Sequence, residues 1–579
     1  MVFSSKPGRS AAARLAFLMA LCLAAGLFAV VLNARYYVRN QPFFDSMSYH
    51  TQVHRVMTQS RTEGVIPALG TACRSSTVCL PLVFAALAGP FIAPSRSFGI
   101  AIQTVELAVL CGSLWYYLHH VRGLAAALAT LAVAPCLLWR CLYDFSGGLS
   151  DFRMDLSLAL LFATAVIWYL IAMATGRLGH FIALGVATAV TCLFRATAPV
   201  YLAVTLVPLA CIDLWPQATR PRRFLGLALA AVTAAAGCLW FFVLNYDALH
   251  YYYVVWNTDA NARLPLGKAA RHAAFAVGHI GVPAALFAIS IPLVLHADAW
   301  LGRDPAGRRS PGRPWREFLL PDWRMAWIGI APVLLLVARG AGLNPYVSMP
   351  AAFGLTLVLL GVGGGPASRA IYGRQPSRGA VLALAGIAVA CTAISTTLGW
   401  ISHHGGGIDS MAAHRQAVDA IVADARRVGR DQVRYGATHC YFLNQASLES
   451  VMLFDHPRTT RDGGTVRIDG VALKPDETLA IWAEADLERV PGDTAADKLE
   501  HAIAAANRDV DYLAIPDEAT SRFVEDHLSY YVINRSAVFV RERLLASGDW
   551  EPVSDAIRNG TDEVVHVYRN ASRMRTAVR

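Results

Sequence analysis

Three groups of residues have the types and spacing to do chemistry. The first is Phe44-Asp45-Ser46-Met47-Ser48-Tyr49-His50, followed by His54. It sets one carboxylate among aromatic and imidazole side chains just after an apolar run. A carboxylate held at a membrane surface is partly desolvated, which favours proton acceptance and suits a general base. An Asp before a helical stretch is also a good N-cap, and both readings stay open. The second group is Asp144-Phe-Ser-Gly-Gly-Leu-Ser-Asp151-Phe-Arg153-Met-Asp155, directly before another apolar run. Asp155 falls in the first turn of the helix expected there, where an anion is favoured. Capping and an Asp155–Arg153 ion pair explain the same residues without catalysis. The third group is cationic: Arg61, Arg74, Arg195, Lys268, Arg271 and Arg339, the last followed by Asn344-Pro345-Tyr346. Guanidinium matches phosphate oxygens in a two-pronged geometry. An Arg or Lys at a membrane boundary also simply reaches for the headgroups. The stretch His250–Trp256 reads as an interfacial aromatic belt, or as a surface on which a sugar stacks.

The elements that must position these groups follow from composition. Of the 579 residues 55% are hydrophobic and only 16% charged, and the mean hydropathy is +0.41. An ordinary soluble chain carries about 25% charged residues, so a disordered chain, a coiled coil and a conventional soluble enzyme are excluded. The apolar residues come in runs such as Leu15–Leu32, close to the length that crosses about 30 Å of hydrocarbon. The chain therefore reads as a polytopic α-helical membrane protein. The net charge of +10 lies mostly in short loops between apolar runs, where it sets topology rather than binding nucleic acid. There are eleven cysteines and no zinc-type spacing. Cys73 and Cys79 are placed to pair if their loop faces an oxidising compartment.

We expect about 11 transmembrane helices: the first run and then spans near 98–118, 122–139, 154–173, 180–195, 198–214, 224–244, 273–295, 325–338, 348–363 and 380–398. With alternation, Arg122, Arg177, Arg220–Arg223, Arg303–Arg316 and Arg369–Arg378 all fall on the cytoplasmic side with the N-terminus. This requires that 78–93, interrupted by Pro81, Gly89 and Pro90, be a shallow juxtamembrane helix and not a span. Residues 1–399 then form the membrane domain, with a first outer loop over 34–97. Residues 400–579 have ordinary charge density, strand-like runs (Thr478–Trp482, Tyr512–Ile515, Ala537–Val540) and amphipathic helices (Ala412–Arg427, Ala496–Ala505). They read as a C-terminal soluble α/β domain on the outer, periplasmic side.

In this order of parts the chain resembles the GT-C glycosyltransferases that use polyprenyl-phosphate sugars, in particular the protein O-mannosyltransferase and lipid A aminoarabinose transferase group. Asp45 after the first span matches that family's first-loop Asp. Leu80-Pro81-Leu82 and Phe98-Gly99 match the segment leading to the second span. His119-His120-Val121-Arg122-Gly123 matches the basic turn, and Arg140 through Asp155 the next outer loop. The family often has Asp-Glu where this chain has Asp45-Ser46, and its late Arg-Tyr motif is met only loosely by Arg339 and Tyr346.

The resemblance implies a GT-C-like fold and an inverting membrane glycosyltransferase. The enzyme would move a sugar from a polyprenyl-phosphate donor to a hydroxyl of a glycan, lipid or protein acceptor in the cell envelope. Asp45, Asp151 and Asp155 are the catalytic candidates. Tyr49, His50, His54, Arg61, Arg74, Arg153, Arg195, Lys268, Arg271, Arg339 and Tyr346 are the substrate-binding candidates. Carboxylates at this loop suit Mg²⁺ or Mn²⁺, but the group that the chain resembles needs no metal and none is predicted. The partners are membrane lipid, the lipid-linked sugar and its acceptor, with a bacterial inner membrane as the location. The competing classes are a polymerase or ligase of lipid-linked polysaccharide and a transporter or flippase. A transporter places its ionisable groups near the bilayer midplane, whereas here the Asp and Arg residues sit at span ends.

Overall fold

Backbone polar groups have no water to bond inside a bilayer, so an apolar run that crosses it must satisfy them internally, as a helix. The computed structural model describes residues 9–36, 45–75, 78–145, 147–214, 221–250, 266–301, 323–338, 345–361, 376–405, 410–437, 466–470, 494–517, 541–558 and 564–576. Each of the eleven apolar segments contains a helix in its described part. In chain order the helices are α1 (Arg9–Tyr36), α2 (Asp45–Thr62), α3 (Val65–Cys73), α4 (Leu80–Ala88), α5 (Ser97–Tyr116, ending in a π turn Tyr117–Val121), α6 (Ala126–Leu137), α7 (Arg140–Tyr143), α8 (Met154–Thr175), α9 (Leu178–Phe194), α10 (Ala198–Leu214), α11 (Pro221–Leu244), α12 (Tyr246–His250), α13 (Leu266–Ile280), α14 (Val282–Leu301), α15 (Trp323–Ala338), α16 (Ala351–Leu359) and α17 (Arg378–Gly405).

Among the described residues five helices are long and apolar enough to cross a membrane, or six if a bent pair counts as one. The expected span at 273–295 is that pair: α13 and α14 meet at a 74° bend. The bend falls at Gly281, whose φ of +76° suits glycine, and a Cβ there would lie 2.7 Å from Arg140 Cβ. The segments expected at 122–139 and 348–363 appear as α6 and α16. Their 12 and 9 helical residues reach only about 18 and 14 Å.

Helix α8 is the axis of the bundle. Its most apolar stretch is 94% buried, against 17% for α11 and α17. A helix apolar all round belongs in the interior, and α8 packs on α5, α9, α10 and α16. Three short helices, α2, α3 and α4, form a cap. Their apolar faces (Tyr49, Val53, Met57, Ala68, Leu82, Ala85) share one core with Phe152, Met154 and Phe194. The cap therefore sits on the start of α8 and the end of α9. At nine residues α4 reaches about 14 Å, too short to cross the bilayer. Its neighbours Phe91 and Ile92 and the α3 residue Ile66 are exposed and apolar, as expected of a cap lying in the membrane interface.

The tail begins with α18 (Ser410–Arg427) and builds an α/β unit. Strands β1 (Gln432–Ala437) and β2 (Arg467–Gly470) are followed by α19 (Ala495–Asp509), β3 (Tyr512–Pro516), β4 (Trp550–Pro552), β5 (Ile557–Arg558), β6 (Val564–Asn570) and α20 (Ala571–Thr576). The sheet order is β2-β1-β3-β6-β4, with β5 also on β6. Strand β1 runs parallel to β2 and β3, while β6 is antiparallel to β3. Both amphipathic helices and the strand at Tyr512 fall where the sequence put them. The runs at 478–482 and 537–540 lie outside the described residues.

Candidate functional site

The loop between α7 and α8 carries two of the three carboxylate candidates, and its shape decides what they do. Gly147, at φ +85°, donates its N–H to Asp151 Oδ2 at 2.6 Å, and Asp151 N–H returns to Gly148 O at 3.0 Å. Ser150 is tied on both sides: its carbonyl accepts from Asn33 of α1 at 2.6 Å and its hydroxyl meets His403 of α17 at 2.8 Å. The loop then passes through Phe152, at φ +46° the one non-glycine residue in the left-handed region among those described. Such a conformation costs about 1–3 kcal/mol and persists only where packing holds it. Here Gly99 of α5 holds it, since a Cβ on Gly99 would sit 2.3 Å from the Phe152 ring, and the His50 ring lies 5.3 Å away. This turn sends Phe152 into the core and Arg153 to the opposite side.

Arg153, Asp155 and Arg195 meet there. Asp155, in the first turn of α8, receives Arg195 Nη2 on Oδ1 at 3.3 Å, while Arg153 Nε lies 3.6 Å from Oδ2. Arg195 is the extended residue after α9, and its Nη1 donates to the Tyr49 hydroxyl of α2 at 2.6 Å. The Arg153 guanidinium lies 4.0 Å over the Tyr346 ring, and its carbonyl accepts from Gln103 of α5 at 2.8 Å. Tyr346 is fixed from two sides. A Cβ on Gly147 would touch its ring at 2.7 Å, and Tyr201 of α10 bonds the adjacent Val347 carbonyl at 2.8 Å. The Asp155 and Arg153 side chains are 3% and 5% exposed and that of Arg195 is 11%. Two guanidiniums thus converge on one carboxylate in a poorly solvated place. Guanidinium is the side chain whose geometry matches an anion with paired oxygens.

The remaining candidates are placed as follows. Asp45 is the first residue of α2, one turn before Tyr49 and so on the same helix face; its side chain lies outside the described residues. His50 is buried against Phe152. Burial, with the nearby Arg96 charge second, pushes its ring down to about 3 and keeps it neutral. The His54 ring meets Thr58 at 3.5 Å within α2. Arg61 donates to Gly89 O at 2.6 Å, tying α2 to the end of α4. Arg74 and Arg271 are exposed, on the turn after α3 and on α13. Lys268 lies on α13 with its side chain outside the described residues, and Arg339 lies outside them altogether. Gln103 was not singled out in the sequence, Gly99 was named only in the segment leading to the second span, and Phe152 only within the Asp144–Asp155 stretch, neither as a site residue. Gly99 and Phe152 have a signal only in retrospect: a glycine opening an apolar helix and an aromatic between two charged residues.

Asp155 is engaged by two guanidiniums, so a metal at that carboxylate would face positive groups, and Asp151 accepts a backbone N–H. Among the described residues no cluster of three His, Cys, Asp or Glu side chains has the geometry to hold one.

A cavity of about 710 Å³ lies between α4, α5, α8 and α9, lined by Phe84, Phe98, Val105, Trp168 and Phe194 among other apolar residues. Phe194 immediately precedes Arg195. Along α5 the lining extends from Phe98 to Val109, about 16 Å. One carboxyl, Glu106, stands in the wall. It is buried, and the Ser157 hydroxyl of α8 is its polar neighbour.

The chain is similar in structure to ArnT from Cupriavidus metallidurans in a crystal structure bound to undecaprenyl phosphate. The TM-score is 0.53 at 13% identity, and the match covers 93% of this chain and 97% of that one. It also matches the Archaeoglobus fulgidus oligosaccharyltransferase tethered with an acceptor peptide, with a TM-score of 0.43 at 13% identity, covering 91% of this chain and 72% of that one. No protein-family profile matches the chain, and no curated protein matches it by sequence. The likeness to ArnT shows a shared fold: the chain has a GT-C-like architecture with a C-terminal α/β unit.

Proposed function

We propose that this chain is an inverting membrane glycosyltransferase that moves a sugar from a polyprenyl-phosphate donor to a hydroxyl acceptor at the outer face of a bacterial inner membrane. The observation that carries the reading is the Arg153–Asp155–Arg195 cluster together with an apolar cavity whose lining includes Phe194, the residue before Arg195. A long-chain phosphate has the two properties this pairing asks for, a tail for the cavity and an anion for the guanidiniums. The ArnT structure of the same fold holds undecaprenyl phosphate.

The chemistry needs few groups. Polyprenyl phosphate departs as an anion, so no general acid is required. Arg195 and Arg153 stabilise the charge that develops on the phosphate as the anomeric C–O bond breaks. Asp155 holds the two guanidiniums at a fixed spacing, and Asp151 holds the loop that delivers Arg153. The base is then Asp45, one turn from the Tyr49 that touches Arg195. It takes the proton of the acceptor hydroxyl as that oxygen attacks the anomeric carbon from the face opposite the phosphate, with inversion.

The test is release of polyprenyl phosphate from a panel of polyprenyl-phosphate sugars by purified protein, wild type against Asp45→Asn, with folding of both verified. We expect release from one donor class and a fall of about 10²-fold or more in the variant. Equal rates would remove Asp45 from the chemistry. No release from any donor with any acceptor would overturn the reading.

A further inference from the structure

Cys73 ends α3 and Cys79 caps the start of α4, and the two thiols come into side-chain contact where these helices meet. Both residues are anchored. The Cys73 carbonyl accepts from Asn245 at the end of α11 at 3.0 Å, and Cys79 N–H donates to the Leu193 carbonyl of α9 at 3.3 Å. Leu193 stands two residues before Arg195. Cys79 is buried beside Phe241 and Leu249, while Cys73 is half-buried. Both cysteines are free thiols here, and each is fixed by a hydrogen bond to its backbone that does not depend on a bond between the sulfurs.

We propose that Cys73 and Cys79 are a modification site, oxidised to a disulfide that fixes the α3–α4 turn against the ends of α9 and α11. The inference rests on the outward orientation proposed above, because only that side is oxidising. The step needs a thiol–disulfide oxidant of that compartment. The Cys73 thiolate attacks a sulfur of the oxidant's disulfide, giving a mixed disulfide and one released thiolate. Cys79 loses its proton and attacks the Cys73 sulfur, and the second thiolate leaves. The two protons lost by Cys73 and Cys79 end on the oxidant, which takes up two electrons and leaves as a dithiol. The order follows from environment: burial, with Cys73 second, pushes the Cys79 thiol up to about 12, so the more exposed Cys73 is the first nucleophile. The cluster of cysteines within the bundle, Cys22, Cys111 and Cys136, is fully buried and has no such access.

The test counts reactive thiols in full-length protein denatured in SDS, using a PEG-maleimide that shifts gel mobility. The chain has eleven cysteines. We expect two fewer than eleven labels on wild type without reductant and eleven after reduction. Cys73→Ser and Cys79→Ser should each give ten under both conditions. Eleven labels on unreduced wild type overturn the proposal, and denaturation makes the count independent of folding. A second arm treats intact spheroplasts of the Cys79→Ser variant with a membrane-impermeant maleimide. Labelling of Cys73 from outside together with eleven free thiols in wild type would sink the disulfide and leave the orientation standing. Labelling only in inside-out vesicles would remove both.

Discussion

Tyr49 and His50 are adjacent in sequence, yet one bonds Arg195 while the other is buried on Phe152 beside Arg96. A helix turns about 100° per residue, so neighbours face different surroundings. Residue type alone marked both as substrate contacts; the face each occupies separates them. The buried imidazole has a consequence for stability. His50 is held near 3 in the folded chain against an ordinary 6.5, so between those values the unfolded chain binds a proton that the folded chain refuses. Stability from neutral His50 is therefore complete above pH 6.5 and falls as pH drops, by about 1.4 kcal/mol per unit at most. Thermal unfolding of wild type at pH 7.5 and pH 5 should show a larger loss than His50→Gln shows, by about 2 kcal/mol. An equal loss in both proteins would assign the acid sensitivity elsewhere. The Asp155–Arg195 pairing was not legible from sequence, although both residues were. They are 40 positions apart and meet only because α8 starts where α9 ends.

Helices were legible as elements, since a bilayer leaves an apolar run no other regular structure. Their bends and lengths were not. Gly281 lies between His279 and Pro283, a Gly-x-Pro break that the reading of one span over 273–295 passed over, and the 74° angle at which α13 and α14 part shows only in the structure. The cap helices were legible in part, because Pro81, Gly89 and Pro90 marked α4 as broken off. How they reach the site shows only in the packing of α2 to α4 on Phe152, Met154 and Phe194. Phe152 is the joint of that packing, and Gly99 is the space it needs. We expect Gly99→Ala to push the Phe152 ring out of its left-handed turn and displace Arg153. Thermal stability should fall by about 1–3 kcal/mol, and donor turnover should fall with it. Gly70→Ala on α3, where an added Cβ meets nothing within 4 Å, serves as the control. Equal behaviour of the two variants would mean that Phe152 does not hold the loop.

Over the whole molecule, composition and charge carried the class of protein, and the order of parts carried the fold. The span count was less secure, because only five described helices are long and apolar enough to cross, or six with the bent pair. The cavity was invisible in the sequence, as its lining comes from four helices whose apolar residues look like any others facing lipid. Its predicted use is testable by size. Ala187 lines the cavity on α9, and Ala187→Phe should narrow it. For a long-chain donor we expect KM to rise about tenfold, since each buried methylene is worth about 0.8 kcal/mol. A donor with a short isoprenoid tail should be unaffected. Equal effects on both donors would place the tail elsewhere.

The central claim is that the guanidinium cluster receives the phosphate of a membrane lipid. Native mass spectrometry of the purified protein with polyprenyl phosphate, and with the matching polyprenol, tests it most directly. We predict a phosphate-lipid adduct on wild type, much weaker binding of the alcohol, and loss of that preference in Arg195→Gln. Equal binding of the phosphate and the alcohol, or an unchanged preference in Arg195→Gln, would contradict the account.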